Sequence, residues 1–402
     1  MSKLRRHLDI LCSYHDDYVA LGTESLGSAG GFSGAAFWKI HGRNRTFCLR
    51  RWAPKYPTLE RLQFIHAVQW HTQEEGFNKF PMPVNTLEGM SYVSDGEYFW
   101  QLEPWMNGKA DFRQNPSSER LINAMTALAE FHLATETFPI QSNAGLSPAF
   151  LEHEKTLLRW TDSQLARISD FVHGSGFSQA VPSINTKNLY ADFLPSQFPG
   201  NINSAKDPEI QKVLFISDLS DSDGPAGVDG WQMGNTVTIS YPTAVRVQSR
   251  LQNAALRMLS AIRTLRRPVL AQVVNMTNKS FRLQPCFHDI HPAHLFFEKS
   301  HFNGFIDFGS LCVDNAATDT AKMLCALTES RPKQWLLGLN AYQSVRPFSA
   351  DELAAIQVFR KSTILTTAIR WLNYIFLQQH PVKCSTRLVE RLERLADMME
   401  RI

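Results

Sequence analysis

Two aspartates are set apart by their surroundings: Asp289 in the run FHDIHPAHLFFE and Asp307 in GFIDFGS. Segment 281–309 reads as a strand-like FRLQPCF, a polar loop HDIHPAH, a strand LFFE, a short turn KSHFNG and a strand FID. The two carboxylates therefore flank a small β-hairpin, Asp289 before it and Asp307 at its end. Phosphoryl transfer needs such a pair. One carboxylate orients the attacking hydroxyl and can accept its proton, while the other holds Mg²⁺ against the β/γ-phosphate oxygens. Gly309 is expected to let the backbone turn sharply just after the metal ligand. On these residues alone, two ordinary turn aspartates remain the alternative.

The elements that must position the pair fall into two regions. Residues 22–105 read as a small β-rich lobe. LGSAGGFSGAAFWKI begins with a glycine-rich turn and runs into an apolar strand. Gly30, Gly31 and Gly34 permit close backbone approach to phosphates, and Ser28 and Ser33 can donate hydrogen bonds. The stretch is neither a Walker A sequence nor GxGxxG, so a plain hairpin turn is its alternative. RTFCLRRW predicts a strand with Phe47, Leu49 and Arg51 on one face and Cys48, Arg50 and Trp52 on the other. Residues 58–75 predict a helix, and YFWQLEPW another strand. After Pro104 the pattern turns helical: from Ser118 to about His132, over 149–173, over 245–265, after a capping box of Ser349 and Glu352, and over Leu388 to Met398. Residues 183–241, rich in Asn, Ser, Asp, Gly and Pro, read as an insertion, partly disordered.

The 402 residues are 44% hydrophobic and 20% charged, an ordinary soluble globular composition. Forty-one Lys+Arg against 38 Asp+Glu give no support to nucleic-acid binding. The six cysteines form no CxxC and no zinc spacing, and read as free thiols in a reducing compartment. The first residues fail as a signal peptide, and no apolar run reaches membrane-spanning length, so no membrane partner is expected and a cytoplasmic protein is the default.

The motif F-H-D-I-H-P-A-H followed by I-D-F-G resembles the aminoglycoside-phosphotransferase and choline-kinase-like family, whose signature is close to HGDLHPGN…IDFG. The resemblance extends in weaker form over roughly 22–145 and 245–380. It implies an α+β, protein-kinase-like bilobal fold: an N-lobe over 1–103 and a mainly helical C-lobe over 104–402. It also implies an ATP- and Mg²⁺-dependent transfer to a hydroxyl of a small molecule. Asp289 would then be the catalytic base and Asp307 the metal ligand. Downstream, TDTAK resembles the family's YDLA element, so Asp319 is expected to brace the catalytic loop. The family's third-strand lysine corresponds to Arg50, which keeps the charge and can grip phosphate bidentately; Cys48, on the same face, would approach the adenine. YFWQLEPWMNG resembles the inter-lobe hinge, with the backbone from Glu103 to Trp105 pairing with the adenine edge and Trp105 or Met106 packing on its face.

The chain departs from the family pattern in four places. Phe287 stands where a histidine is usual, two residues before the aspartate. His294 replaces the metal-binding asparagine, and imidazole suits Mn²⁺ better than Mg²⁺. The cation is Arg50. No glutamate lies near His66, where the cation's partner should be, and Glu60 is the nearest candidate. These substitutions keep a rival open, a nucleotide-binding pseudokinase or scaffold without turnover. His288, His291 and His294 would share a helical face as a zinc site, but Pro292 and the strand after it argue against a helix there.

Overall fold

The computed structural model describes residues 6–15, 18, 21–28, 34–54, 56–174, 241–378 and 386–402. Gly30, Gly31, Ser33 and the insertion up to residue 240 lie outside the described residues.

Five strands form an antiparallel sheet in the order β1-β2-β3-β5-β4: β1 (Gly22–Gly27), β2 (Ala36–His41), β3 (Thr46–Arg51), β4 (Val93–Ser94) and β5 (Phe99–Pro104). Strand alternation sorts the chemistry by face. Phe47 and Leu49 join Ile40, Trp100 and Leu102 in a core of their own, which Ile10, Leu11 and Tyr14 from and just after helix α1 (Arg6–Leu11) complete. That leaves Cys48 and Arg50 on the inner face, opposite Glu103 and Gln101 of β5. Helix α2 (Leu59–Glu74) is capped by the Thr58 side chain and buries Leu62, Ile65 and Val68 in the larger core.

The remainder is mainly helical. Helix α3 (Ser118–Thr135) is capped by Ser117, one residue before the sequence mark at Ser118. The helix expected over 149–173 is two, α4 (Pro148–Arg159) and α5 (Asp162–His173). Trp160 turns extended, and Thr161 with Gln164 forms a capping box that restarts the helix. Helices α6 (Tyr241–Thr277), α7 (Ala316–Thr328), α8 (Pro332–Gln343), α9 (Ala350–Leu372) and α10 (Thr386–Met399) complete the lobe. The Ser349–Glu352 capping box forms as expected. Among the described residues no helix is long and apolar enough to cross a membrane.

Three short antiparallel pairs lie in the helical lobe. Strand β6 (Ala144–Gly145) pairs with β7 (Phe281–Arg282), β8 (Gln284–Cys286) with β11 (Cys312–Asp314), and β9 (Leu295–Glu298) with β10 (His301–Phe305). FRLQPCF is thus broken at Leu283, and β10 ends at Phe305, so Ile306 and Asp307 leave the ladder before the turn. The linker between the lobes docks on this hairpin: the Lys109 N–H donates to Phe297 O at 2.8 Å and the Phe297 N–H returns a bond at 3.0 Å. Gly108 makes the approach possible, because a Cβ there would sit 2.6 Å from Phe297 O at a φ of +94°. Gly108→Ala is therefore expected to lower the unfolding free energy by about 1–3 kcal/mol. Gly89→Ala, which has a positive φ but open space around it, should lose less. Urea denaturation of both variants measures the difference.

Candidate active site

Residues 287–294 form the loop at the centre of the site, and its shape is fixed from below by Asp319 near the start of α7. One Asp319 oxygen accepts the Phe287 N–H at 2.5 Å and the other the His288 N–H at 2.8 Å. His132 of α3 approaches the first oxygen at 3.3 Å and is itself bonded to Tyr342 at 2.7 Å. Phe287, His132, Asp319 and Tyr342 are buried. The Lys322 ammonium donates to the His288 carbonyl. His288 takes a left-handed φ of 63°. The bracing role expected of Asp319 is what the geometry displays; Lys322, His132 and Tyr342 carried no local signal in the sequence.

Phe287 occupies the floor. Its ring lies 4.2 Å from Phe131, 4.8 Å from Phe305 and 4.9 Å from Phe308, and Phe308 continues to Phe80 at 5.0 Å. An apolar stack therefore stands where a histidine was expected. It ties the loop before Asp289 to the turn after Asp307.

Asp307 has a φ of 62° and a ψ of 75°, and its side chain accepts the Gly309 N–H at 3.3 Å. The sharp turn expected at Gly309 thus falls on Asp307 itself. Gly309 is needed for closeness instead: a Cβ would come within 3.3 Å of the Trp52 ring. Its carbonyl receives the Tyr56 hydroxyl at 3.0 Å and Arg61 at 3.4 Å. The N-lobe therefore grips the turn from two sides.

The cation facing this turn is Arg50. Its Nη1 lies 3.0 Å from Asp307 Oδ1, and its guanidinium stacks on Trp52 at 3.6 Å. Arg50 is only 8% exposed. Burial pushes the Asp307 carboxyl up, but Arg50 and His294 outweigh it and hold it at about 2. Asp307 is thus ionised throughout the physiological range. Glu60 is exposed on the first turn of α2 and corrects the expectation of a glutamate partner. The helix position facing the cation is His66, which burial lowers to about 4, the Gln101 bond opposing and Arg50 adding. His66 contacts Gln101 at 3.0 Å and Ser91 at 2.7 Å. A neutral imidazole and an amide thus replace the carboxylate, and the counter-charge of Arg50 comes from Asp307.

His294 completes the arrangement. Its Nδ1 lies 3.2 Å from the Asp289 carbonyl, which can only accept, so that nitrogen donates, and Nε2 lies 3.8 Å from Asp307 Oδ2. With Oδ1 held by Arg50, Oδ2 and Nε2 are a pair of donors suited to one divalent ion. The second-nitrogen bond to a carbonyl is the usual support of a metal-binding imidazole. The zinc reading of the three histidines does not hold. Residues Pro292–His294 form a 3₁₀ turn, His288 faces Asp314 at 3.9 Å, and His291 stacks on His294 at 3.7 Å. Among the described residues, His132, Cys286 and Asp319 lie close enough to share an ion, but both Asp319 oxygens are taken by the loop N–H groups.

Asp289 looks the other way. It lines a cavity of about 480 Å³ between α4, α7, α9 and α10, whereas Asp307 faces the sheet. On the sheet side, the Trp105 N–H is bonded to Thr46 O at 2.9 Å, which corrects its expected availability to an adenine. The alternation of an antiparallel ladder turns the Pro104 carbonyl and the Met106 N–H outward instead. The Trp105 ring is half-buried, 4.8 Å from the Lys39 ammonium. Cys48 lies beside Glu103, and burial pushes its thiol well up. Ser28 and Gly34 flank the glycine-rich stretch, Gly34 at a φ of +78°.

Comparison with known proteins matches residues 228–356, which include Asp289, Asp307 and Asp319, to the phosphotransferase enzyme family. A homoserine kinase of Brucella anthropi is 37% identical over 95 residues, 21% of this chain. The match spans 29% of that kinase's length. The fold is similar along almost the whole chain to that of a spectinomycin phosphotransferase. The form bound to ADP and spectinomycin has a TM-score of 0.53 at 10% identity and covers 99% of this chain and 98% of the other. The AMP-bound form has 0.52 at 10%, covering 98% of each. The kinase-like architecture read from the motif is thus the architecture of the chain.

Glu103 supplies a check on the charge balance of the cleft. Burial raises its carboxyl to about 7, Arg50 opposing and Asp307 adding. A raised folded-state pKa contributes stability below the unfolded value near 4.3, and that contribution is lost as pH rises through about 7. The wild type is therefore expected to lose up to about 3 kcal/mol more than Glu103→Gln between pH 4 and pH 8, as read from thermal unfolding across that range. Parallel pH profiles would contradict it.

Proposed function

For a chain whose catalytic segment matches the phosphotransferase enzyme family, we propose an ATP-dependent phosphotransferase that moves the γ-phosphoryl group to a hydroxyl of a small molecule. The observation that carries this reading is the two-sided loop. Asp289 opens on a cavity of about 480 Å³, while Asp307, two strands later, faces a buried cation beneath a sheet. Attack on a phosphoryl group between two such sides has its acceptor and its nucleotide on opposite faces, as in-line transfer requires.

In the proposed reaction Asp289 accepts the hydroxyl proton as the acceptor oxygen bonds to the γ-phosphorus and the bond to the β–γ bridging oxygen breaks. Arg50 holds phosphate oxygens. Among the described residues its buried Nε has no hydrogen-bond partner, while Nη1 holds Asp307. By the family resemblance, Ser28 and Gly34, with Gly30, Gly31 and Ser33 outside the described residues, are assigned to the phosphates. Cys48 lies toward the base, whose edge meets the Pro104 carbonyl and the Met106 N–H. Asp307 Oδ2 and His294 Nε2 would hold the divalent ion, Mg²⁺ or Mn²⁺. When bound, that ion neutralises charge on the β/γ-phosphates. Cytoplasmic residence is part of the same reading and agrees with the free thiols of Cys12, Cys48, Cys286, Cys312 and Cys325.

The test is ATP-dependent phosphorylation of hydroxylated acceptors followed by ADP formation. Asp289→Asn is expected to lower kcat by about 10²–10⁴-fold while ADP still raises the melting temperature as it does in wild type. Wild-type stabilisation by ADP with no transfer to any acceptor would favour the non-catalytic nucleotide-binding alternative, and equal rates in both proteins would exclude Asp289 from the reaction.

A further inference from the structure

The acceptor cavity is cationic, and the sequence hides this because its helices carry mixed charge. Along α10 and just beyond it, Glu390, Arg391, Glu393, Arg394, Asp397 and Glu400 carry mixed charge. The fold sorts them by face. Glu393 is bonded to Arg250, and Asp397 and Glu400 to Arg257, all against α6. The other face, with Arg391, Arg394, Leu395 and Met398 at helical spacing, lines the cavity.

The remaining walls follow the same rule. Lys155 and Arg159 lie one turn apart on α4, Lys322 comes from α7 and Arg370 from α9. The described lining holds seven Arg or Lys side chains and three carboxylates. Of those carboxylates, Glu329 is bonded to Arg331 outside the cavity and Glu152 faces Arg370 at 3.7 Å. Asp289 is the third. The field reaches the catalytic loop. After burial, Lys322, His153 and Arg370 press the neighbouring His288 well below its usual range. Between the charges the wall is apolar and aromatic, from Trp160, Trp371, Ile364 and Leu377, with Arg391 over the Trp371 ring at 5.2 Å.

We propose that the acceptor is an anionic alcohol: a small molecule with an apolar or ring body, a hydroxyl presented to Asp289, and a carboxylate or phosphate held by the cations of α4, α9 and α10. The surplus of positive charge would repel a polycationic alcohol and neutralise an anionic one. It would also offset the repulsion between that anion and the nucleotide's phosphates. The inference rests on the phosphotransferase reading above, and deepens it.

Binding separates the two claims, because it does not require turnover. Four alcohols that differ only in one substituent would be titrated calorimetrically into the full chain with ADP, at matched ionic strength: 4-(hydroxymethyl)benzoate, 4-(hydroxymethyl)phenyl phosphate, 1,4-benzenedimethanol and 4-(hydroxymethyl)benzylamine. At least one anion is expected to bind about ten-fold tighter than the diol and the amine. The carboxylate and phosphate arms tell a hydroxy acid from a phosphorylated alcohol. Lys155→Gln with Arg159→Gln, both exposed and harmless to the core, is expected to weaken the anion about five-fold or more and leave the diol unchanged. Equal affinities, a preference for the amine, or an anion indifferent to the double variant would overturn the inference. Tight anion binding with no ADP formed from ATP would count against the transfer reading and leave the cavity's preference standing. Turnover of the amine would do the reverse.

Discussion

Arg50 and Asp307 lie 257 positions apart and meet at 3.0 Å. The rest of the site is arranged around that contact. Arg50 is nearly buried and carries a fixed positive charge, and neither His66 nor Gln101 can neutralise it. Removing Asp307 would strand the buried charge of Arg50, whereas Asp307, a third exposed, would keep part of its hydration if Arg50 were lost. The pair therefore joins the lobes as well as setting the charge on Asp307. The bonds from Tyr56 and Arg61 to the Gly309 carbonyl hold the same turn, and the Trp52 ring under Arg50 closes it.

A second constraint keeps Asp289 where it is. The loop before it cannot pair with a strand, so Asp319 satisfies its N–H groups and Lys322 its carbonyl. The Phe287 stack supplies the packing that a histidine would have supplied by hydrogen bonding. The substitutions that make the motif look degenerate are therefore compensated locally. The aromatic at 287 has three aromatic neighbours, His294 Nε2 lies 3.8 Å from the second oxygen of Asp307, and Arg50 draws its counter-charge from Asp307. The frame around the two aspartates persists with altered parts.

Much of this was legible in the sequence. DxHP and IDFG announced the hairpin and its two carboxylates because a short loop and a strand turn are local features. The faces of β3 could be read from its alternation, and Asp319 from a motif at fixed distance. What could not be read depends on contacts between distant segments. Which acidic residues of α10 are spent against α6 is decided by helix packing, so the charge of the cavity emerged only in the fold. The partner of Arg50 lies not in α2 but in the other lobe. The Trp105 N–H seemed available until the strand register assigned it to Thr46. The break at Trp160 was missed because the Thr161 cap was submerged in a continuous helical pattern.

The central claim is that Asp307, held on one oxygen by Arg50, offers the other to the ion of a bound nucleotide beside His294. Calorimetric titration of ADP with and without Mg²⁺ or Mn²⁺ tests it most directly. In wild type the ion is predicted to tighten ADP binding about ten-fold or more, and in Asp307→Asn that gain is predicted to vanish while metal-free binding persists. A metal-dependent gain that survives unchanged in Asp307→Asn, with the variant folded, would contradict the account.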